Sequence, residues 1–247
     1  PWIELVQIPA PEKSRSFSAK AYAFNHGLKL IQDLDCEVIG NLDADISFDP
    51  DHFEFLLARF AEDPKLGVAG TVFEEEGYHS GRDSFEGQNH VAGQCQIFRR
   101  QCLLELGGYV PHSAGGIDWI AVTSARMLGW TTRSYQEKCF FHYRHMGTAE
   151  RGRIAAAFSY GEKDYYLGGH PLWQFFRCAY RATKAPLLFG GAALFAGYLW
   201  AALRRMPRPV SPELMRFHRR EQMRKLGAIL SRLGRFKRVE NFELAAK

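Results

Sequence analysis

Several features are missing from this 247-residue sequence, and each absence closes off a class of protein. Its five cysteines, Cys36, Cys95, Cys102, Cys139 and Cys178, are odd in number and include no CxxC pair. That excludes a disulfide framework or a zinc knuckle and points to a reducing, cytosolic setting. There is no internal repeat and no low-complexity run. Neither GxxxxGK nor GxGxxG occurs, so a Gly-rich phosphate loop is not expected. No RNA- or DNA-binding motif is present, and no nucleic-acid partner is expected. The opening Pro1-Trp2-Ile3-Glu4 offers neither an initiator Met nor a charged-then-apolar leader. The expectation is a chain without a signal peptide that starts inside a longer gene product.

What is present suits a globular chain with one sizeable core: 46% hydrophobic, 14% aromatic and 24% charged residues. The formal charge of +5 hides an asymmetry. Residues 204–247 carry 13 Lys+Arg against 4 Asp+Glu, whereas the preceding 203 residues carry 19 against 23. The body is therefore slightly acidic and the tail strongly basic.

Helices and strands alternate along the first 150 residues. Ser18–Gln32 reads as a helix and Glu37–Leu42 as a strand. Asp49 reads as an N-cap with Pro50 at the first helical position, because Phe53, Leu56, Leu57 and Phe60 then recur at helical spacing. Gly67–Phe73 and Gln94–Phe98 read as strands, and Arg99–Leu106 as a short helix stopped by Gly107-Gly108. A further helix spans Ile117–Leu128, with strands at Trp130–Tyr135 and Cys139–Tyr143. The alternation predicts an α/β layered sheet. A domain over residues 1–150 is expected, followed by a helical region over 151–247.

Within that second region Ala185–Leu203 is 19 residues without a charge, between Arg181 and Lys184 on one side and Arg204, Arg205 and Arg208 on the other. About 20 apolar residues are needed to span a bilayer. A single span would place the basic tail opposite a cytosolic body, against the positive-inside tendency. A helix lying in or re-entering the interface, or one packed on the body, remains open. The helix after Pro212 is basic, and Met223, Leu226, Ile229, Leu230 and Leu233 are expected to share one apolar face. Together these suggest a peripheral or monotopic protein on the cytoplasmic face of the cell membrane.

The stretch NLDADISFDP (41–50) sets Asp43 and Asp45 at the carboxyl end of a strand, where ligands of α/β sheets bind. Two such carboxylates repel unless a cation neutralises them. Mg²⁺ or Mn²⁺ shared with diphosphate oxygens would do so. A solvated acidic turn before the next helix is the alternative.

Three stretches, AKAYAFNHGL (19–28), NLDADISFDP (41–50) and GGYVPHSAGGIDWIAVTSARMLGW (107–130), follow one another in the order and spacing of family 2 glycosyltransferases, which the chain resembles over about residues 15–147. The resemblance implies a GT-A, Rossmann-like fold, a mixed sheet flanked by helices, here with a membrane-associated helical extension at the C-terminus. It implies an inverting hexosyltransferase moving a sugar from a nucleotide-diphospho-sugar to a hydroxyl of a glycan or lipid-linked acceptor in cell-surface polysaccharide synthesis. Asp43 and Asp45 match its DxD metal motif, with Mn²⁺ or Mg²⁺ as cofactor, and Asp118 matches its catalytic base. The resemblance further suggests His142 as a third metal ligand, with His145 as runner-up, and Arg144 on phosphate oxygens. Lys20 and Asn25 are candidate nucleotide-sugar contacts, and Trp119 is either an acceptor platform or core. Asp118 alternatively only complements a helix dipole.

Two departures stand out. The family's opening strand and base-gripping turn have no counterpart before Pro1, and the QxxRW motif of processive synthases is missing. The first leaves open an inactive, membrane-docking scaffold fragment; the second suggests one sugar added per encounter. A Mg²⁺-dependent nucleotidyltransferase using the same aspartates is the other alternative.

Overall fold

The computed structural model describes residues 3–8, 17–76, 78–81, 87–143, 148–184 and 187–234, with backbone alone for 148–151 and 233–234. In chain order the elements are α1 (Phe17–Leu30), β1 (Val38–Leu42), β2 (Ile46–Phe48), α2 (His52–Glu62), β3 (Leu66–Glu75), β4 (Tyr78–His79), β5 (Cys95–Arg99), α3 (Arg100–Leu106), α4 (Ile117–Met127) and β6 (Thr131–His142). Four helices follow: α5 (Thr148–Tyr166), α6 (Pro171–Ala182), α7 (Phe189–Leu203) and α8 (Pro212–Gly234).

The sheet order is β1-β5-β3-β6-β2, with β4 added to β3. β1 pairs antiparallel with β5, β5 with β3, β3 with β4 and β2 with β6. β6 runs parallel to β3: the Thr131 N–H at its start donates to Lys65 O at 2.8 Å, and its last residue, His142, meets Glu75 at the end of β3. The sheet is mixed and flanked by helices, as expected.

The chain divides into two compact units, Pro1–Ala44, Pro50–Thr71 and His90–Tyr135 forming the first and Asp45–Asp49, Val72–Asn89 and Gln136–Lys247 the second. In the first unit the sheet is covered on both faces. Val68 and Phe98, paired across β3 and β5, pack with Ala21 of α1, Leu103 of α3 and Val122 of α4. The next pair, Ala69 and Ile97, faces the opposite way against Leu56 and Phe60 of α2. This explains why β3 reads as an unbroken apolar run instead of an alternation. Each large side chain buried this way is worth about 1.5–3 kcal/mol.

In the second unit the core of the helical part is glycine-mediated. A Cβ on Gly161 of α5 would overlap Leu194 O of α7, and one on Gly197 would overlap Phe158 O of α5. The two helices therefore touch backbone to backbone. Gly152, with φ +69°, breaks α5.

Three local expectations are corrected. Helix α2 starts at His52 with Asp51 at the N-cap, not with Asp49 and Pro50. The pairing of Ile46–Phe48 with β6 keeps the chain extended to Phe48, so the turn into the helix falls later. The two strands foreseen at 130–135 and 139–143 are one strand, Thr131–His142. Helix α8 buries Leu214, His218, Gln222, Lys225 and Ile229, while Leu230 is exposed. Polar anchors turn it this way: Gln222 Oε1 accepts the His170 N–H at 2.7 Å, and Arg219 Nε donates to Gly168 O at 2.9 Å. Among the described residues no helix is long and apolar enough to cross a membrane.

Candidate active site

In the first unit, Asp43 continues β1 past its last ladder pair, its N–H donating to Gln94 O at 2.9 Å. Its carboxylate takes Lys20 Nζ of α1 at 2.5 Å. Lys20 also donates to Gly93 O at 2.8 Å, as does Asn41 Nδ2 at 2.8 Å. The residues leading into β5 are thus clamped against the end of β1. Asp118 enters the same place from α4. The turn before it needs Gly115 and Gly116, with φ of +89° and +83°, so that the helix can start at Ile117 with its carboxylate in the first turn. A Cβ on Gly93 would lie 2.8 Å from Asp118 Cβ, and His90 Nε2 stands 3.8 Å from Asp118 Oδ2.

Tyr109 ties this group together. Its hydroxyl donates to Gln96 Oε1. The phenol is raised well above its usual range, first by burial and then by the charges of Asp118 and Asp43. One buried hydroxyl therefore senses both carboxylates. Asn25 holds the backbone of Tyr109 at both ends, Nδ2 to its carbonyl and Oδ1 from its N–H, each at 2.8 Å. The side chain is committed to the turn that Gly107 and Gly108 open. Trp119, 7% exposed, is buried, so its indole face is not open to a sugar.

In the second unit, Asp45 and His142 flank the β2–β6 pair. The Tyr143 N–H donates to Asp45 O at 3.0 Å. His142 Nδ1 is 2.8 Å from the carboxylate of Glu75, both side chains buried, and Nε2 points at Asp45 Oδ1 across 3.7 Å. That gap is longer than a hydrogen bond but shorter than two metal–ligand bonds of about 2.1 Å. A histidine oriented by a carboxylate through one nitrogen, with the other facing a second carboxylate, is the arrangement in which metal-binding imidazoles are held. Asp45 and His142 are residues that could hold a divalent cation. Arg144 and His145 lie outside the described residues.

Sequence reasoning missed Gly93, His90 and Glu75. Glu75 alone had a signal: it ends a strand two residues beyond Phe73, on the same face. His90 and Gly93 lie in a non-periodic connection and carry none.

Comparison with known proteins bears on both units. Residues 13–115 match the model of the family described as glycosyl transferase family 2. Among solved structures the chain is similar to the mannosyltransferase PcManGT from Pyrobaculum calidifontis in complex with GDP-Man and Mn²⁺, at 22% identity and a TM-score of 0.45. The match covers 85% of this chain and 59% of that one, so the chain spans under two thirds of that protein's length. No curated protein matches the sequence.

Proposed function

We propose, from the match of residues 13–115 to the glycosyl transferase family 2 model, that the chain transfers a sugar from a nucleotide-diphospho-sugar to an acceptor hydroxyl, with inversion at the sugar carbon. The observation that carries the reading is the convergence of Asp43 and Asp118 on the Gly93 segment, through Lys20 on one side and van der Waals contact on the other. It supplies a donor-side carboxylate and a proton acceptor on one rigid frame.

Asp118, in the first turn of α4, takes the proton of the attacking hydroxyl. Asn25 positions the Gly-Gly turn that leads into this motif. Asp45 and His142 would hold Mn²⁺ or Mg²⁺, with Glu75 fixing the imidazole, and Asp43 would serve binding of the donor. The bound cation supplies charge neutralisation for the departing nucleotide. Lys20 holds Asp43 in place until the donor arrives.

The acceptor we propose is a glycan or lipid-linked sugar at the cytoplasmic face of the cell membrane, within cell-surface polysaccharide synthesis, with hexosyl transfer as the reaction type. Helix α7 supports the membrane part. It buries Gly191, Leu194, Gly197, Tyr198 and Ala201, yet its other face, Phe195, Leu199, Trp200 and Leu203, is also apolar and exposed. Arg204 and Arg205 follow it directly and Lys184 precedes it. A 15-residue helix is about 22 Å long, which suits lying in an anionic interface rather than crossing it.

The test is transfer of labelled sugar from a panel of nucleoside-diphosphate sugars to membrane lipid extracts, with and without Mn²⁺. Metal-dependent transfer abolished by Asp118→Asn supports the reading. Release of nucleoside monophosphate linked to the acceptor would instead identify a nucleotidyltransferase.

A further inference from the structure

On the sheet face opposite His142, a second set of metal-ligand atoms comes together. Phe73 stacks on Phe140 and meets the edge of His142, so Phe73, Glu75, Phe140 and His142 share one face of β3 and β6. Strand alternation turns Glu74 and Cys139, one residue along each strand, to the other face. There the β3–β4 hairpin pairs Glu74 directly with His79. The carboxylate of Glu74, the imidazole of His79 and the thiol of Cys139 lie within 4.8 Å of one another, none of the three residues fully buried. Three strands deliver three different ligand types to one point.

We propose that Glu74, His79 and Cys139 form a Zn²⁺ site, separate from the donor site and independent of the proposed reaction. The ligand chemistry selects the ion. A thiolate beside an imidazole and a single carboxylate suits Zn²⁺, whereas Mg²⁺ and Mn²⁺ take oxygen-rich sites without a thiolate. The sites also differ in what surrounds them. Asp45, His142 and Glu75 include no thiol, and Cys139 has no place among them. Three protein ligands leave one tetrahedral position for water.

The local electrostatics favour a cation. The Cys139 thiol is pushed up to about 11 by burial first, then by the negative charges of Glu74 and Asp49. Zn²⁺ replaces the thiol proton, so binding at neutral pH releases it to solvent and turns repulsion among these groups into attraction. His79 must also adjust. Its Nδ1 now accepts the Gly81 N–H at 3.1 Å, and Nε2 stands 3.7 Å from Glu74 Oε1. Coordination through Nε2 moves the ring proton to Nδ1 and frees the Gly81 N–H to water. Bound metal would clip the β3–β4 hairpin onto β6.

The experiment titrates the whole chain, stripped with chelator, with Co²⁺ as a spectroscopic probe and with Zn²⁺ by calorimetry. The expected result is one equivalent of Co²⁺ giving a thiolate-to-metal charge-transfer band that Zn²⁺ displaces and Mn²⁺ does not. Cys139→Ser removes the band. His79→Gln, at a partly exposed position, weakens Zn²⁺ binding by more than the roughly 10–100-fold that loss of an outer-shell partner costs. Asp45→Ala leaves the band unchanged. No band in the unsubstituted chain, a band that survives Cys139→Ser, or one that disappears with Asp45→Ala overturns the proposal. Because the readout is metal binding, sugar-transfer activity can fail without affecting it.

Discussion

Gly93 has no side chain, and its neighbours use the space that leaves. Asp118 Cβ sits where a methyl group would need to be, while the Gly93 carbonyl accepts from both Lys20 and Asn41. Gly93→Ala therefore pushes on Asp118 from a backbone that is held on its other side. We expect the variant to fold and to bind donor, with transfer lowered about 100-fold, because a displacement of about 1 Å at a reacting group is worth that much. Sugar-transfer rates with calorimetric donor titration check this; unchanged kcat shows that Asp118 does not need its present position. Asp118→Asn is expected to lower kcat by about 10²–10⁴-fold with little change in KM, since it removes the proton acceptor alone. Asp43, Asp45 and Asp118 were nameable as candidates from the sequence because each lies in a short stretch with its own spacing. The residues that complete them were not. Gly93 reaches Lys20 across 73 positions, and Glu75 reaches His142 across 67, so only the sheet order brings them together.

At the scale of elements, the sequence was most informative where one face of a helix or both faces of a strand are buried. Helix α2 and strand β3 stand within a few residues of their expected limits for that reason. Strand β6 was read as two because Gln136, Glu137 and Lys138 interrupt its apolar pattern; its place beside β3 in the sheet, not hydrophobicity, carries the strand through them. The expected apolar face of α8 holds in part, Ile229 being buried and Leu230 exposed, because the hydrogen bonds that Arg219 donates and Gln222 accepts set the rotation of the helix. Helix α7 shows the same limit from the other side: its composition reads as apolar all round, and only the glycines reveal which face packs. Gly197→Ala places a methyl group on the Phe158 carbonyl, a rigid backbone atom, so α5 and α7 must separate. The cost expected is about 1–3 kcal/mol or more, as for overpacking in a core. A lower urea midpoint with an unchanged slope checks it. Gly227→Ala, where an added Cβ meets nothing within 4 Å, serves as the control and should not destabilise.

For the molecule as a whole, the proposed membrane binding has two separable sources, the charge asymmetry and the bare face of α7, and salt tells them apart. Residues 204–247 carry a surplus of nine positive charges, and each Lys or Arg near an anionic surface contributes about 1 kcal/mol. That attraction fades beyond a Debye length of about 8 Å at physiological ionic strength and shrinks further in molar salt. The apolar contribution does not. Phe195, Leu199, Trp200 and Leu203 each add about 1.5–3 kcal/mol if buried among acyl chains. Vesicle flotation should therefore show binding that needs anionic lipid at low salt, with a remainder that persists at 1 M NaCl. Leu199→Glu combined with Leu203→Glu, both exposed, should remove the persistent part by more than about tenfold while leaving the urea midpoint unchanged. Binding that vanishes completely in salt before any substitution would assign it to the tail alone. Binding that survives both substitutions and alkaline carbonate would show that the chain is anchored more deeply than a helix in the interface allows, and the peripheral reading would fall.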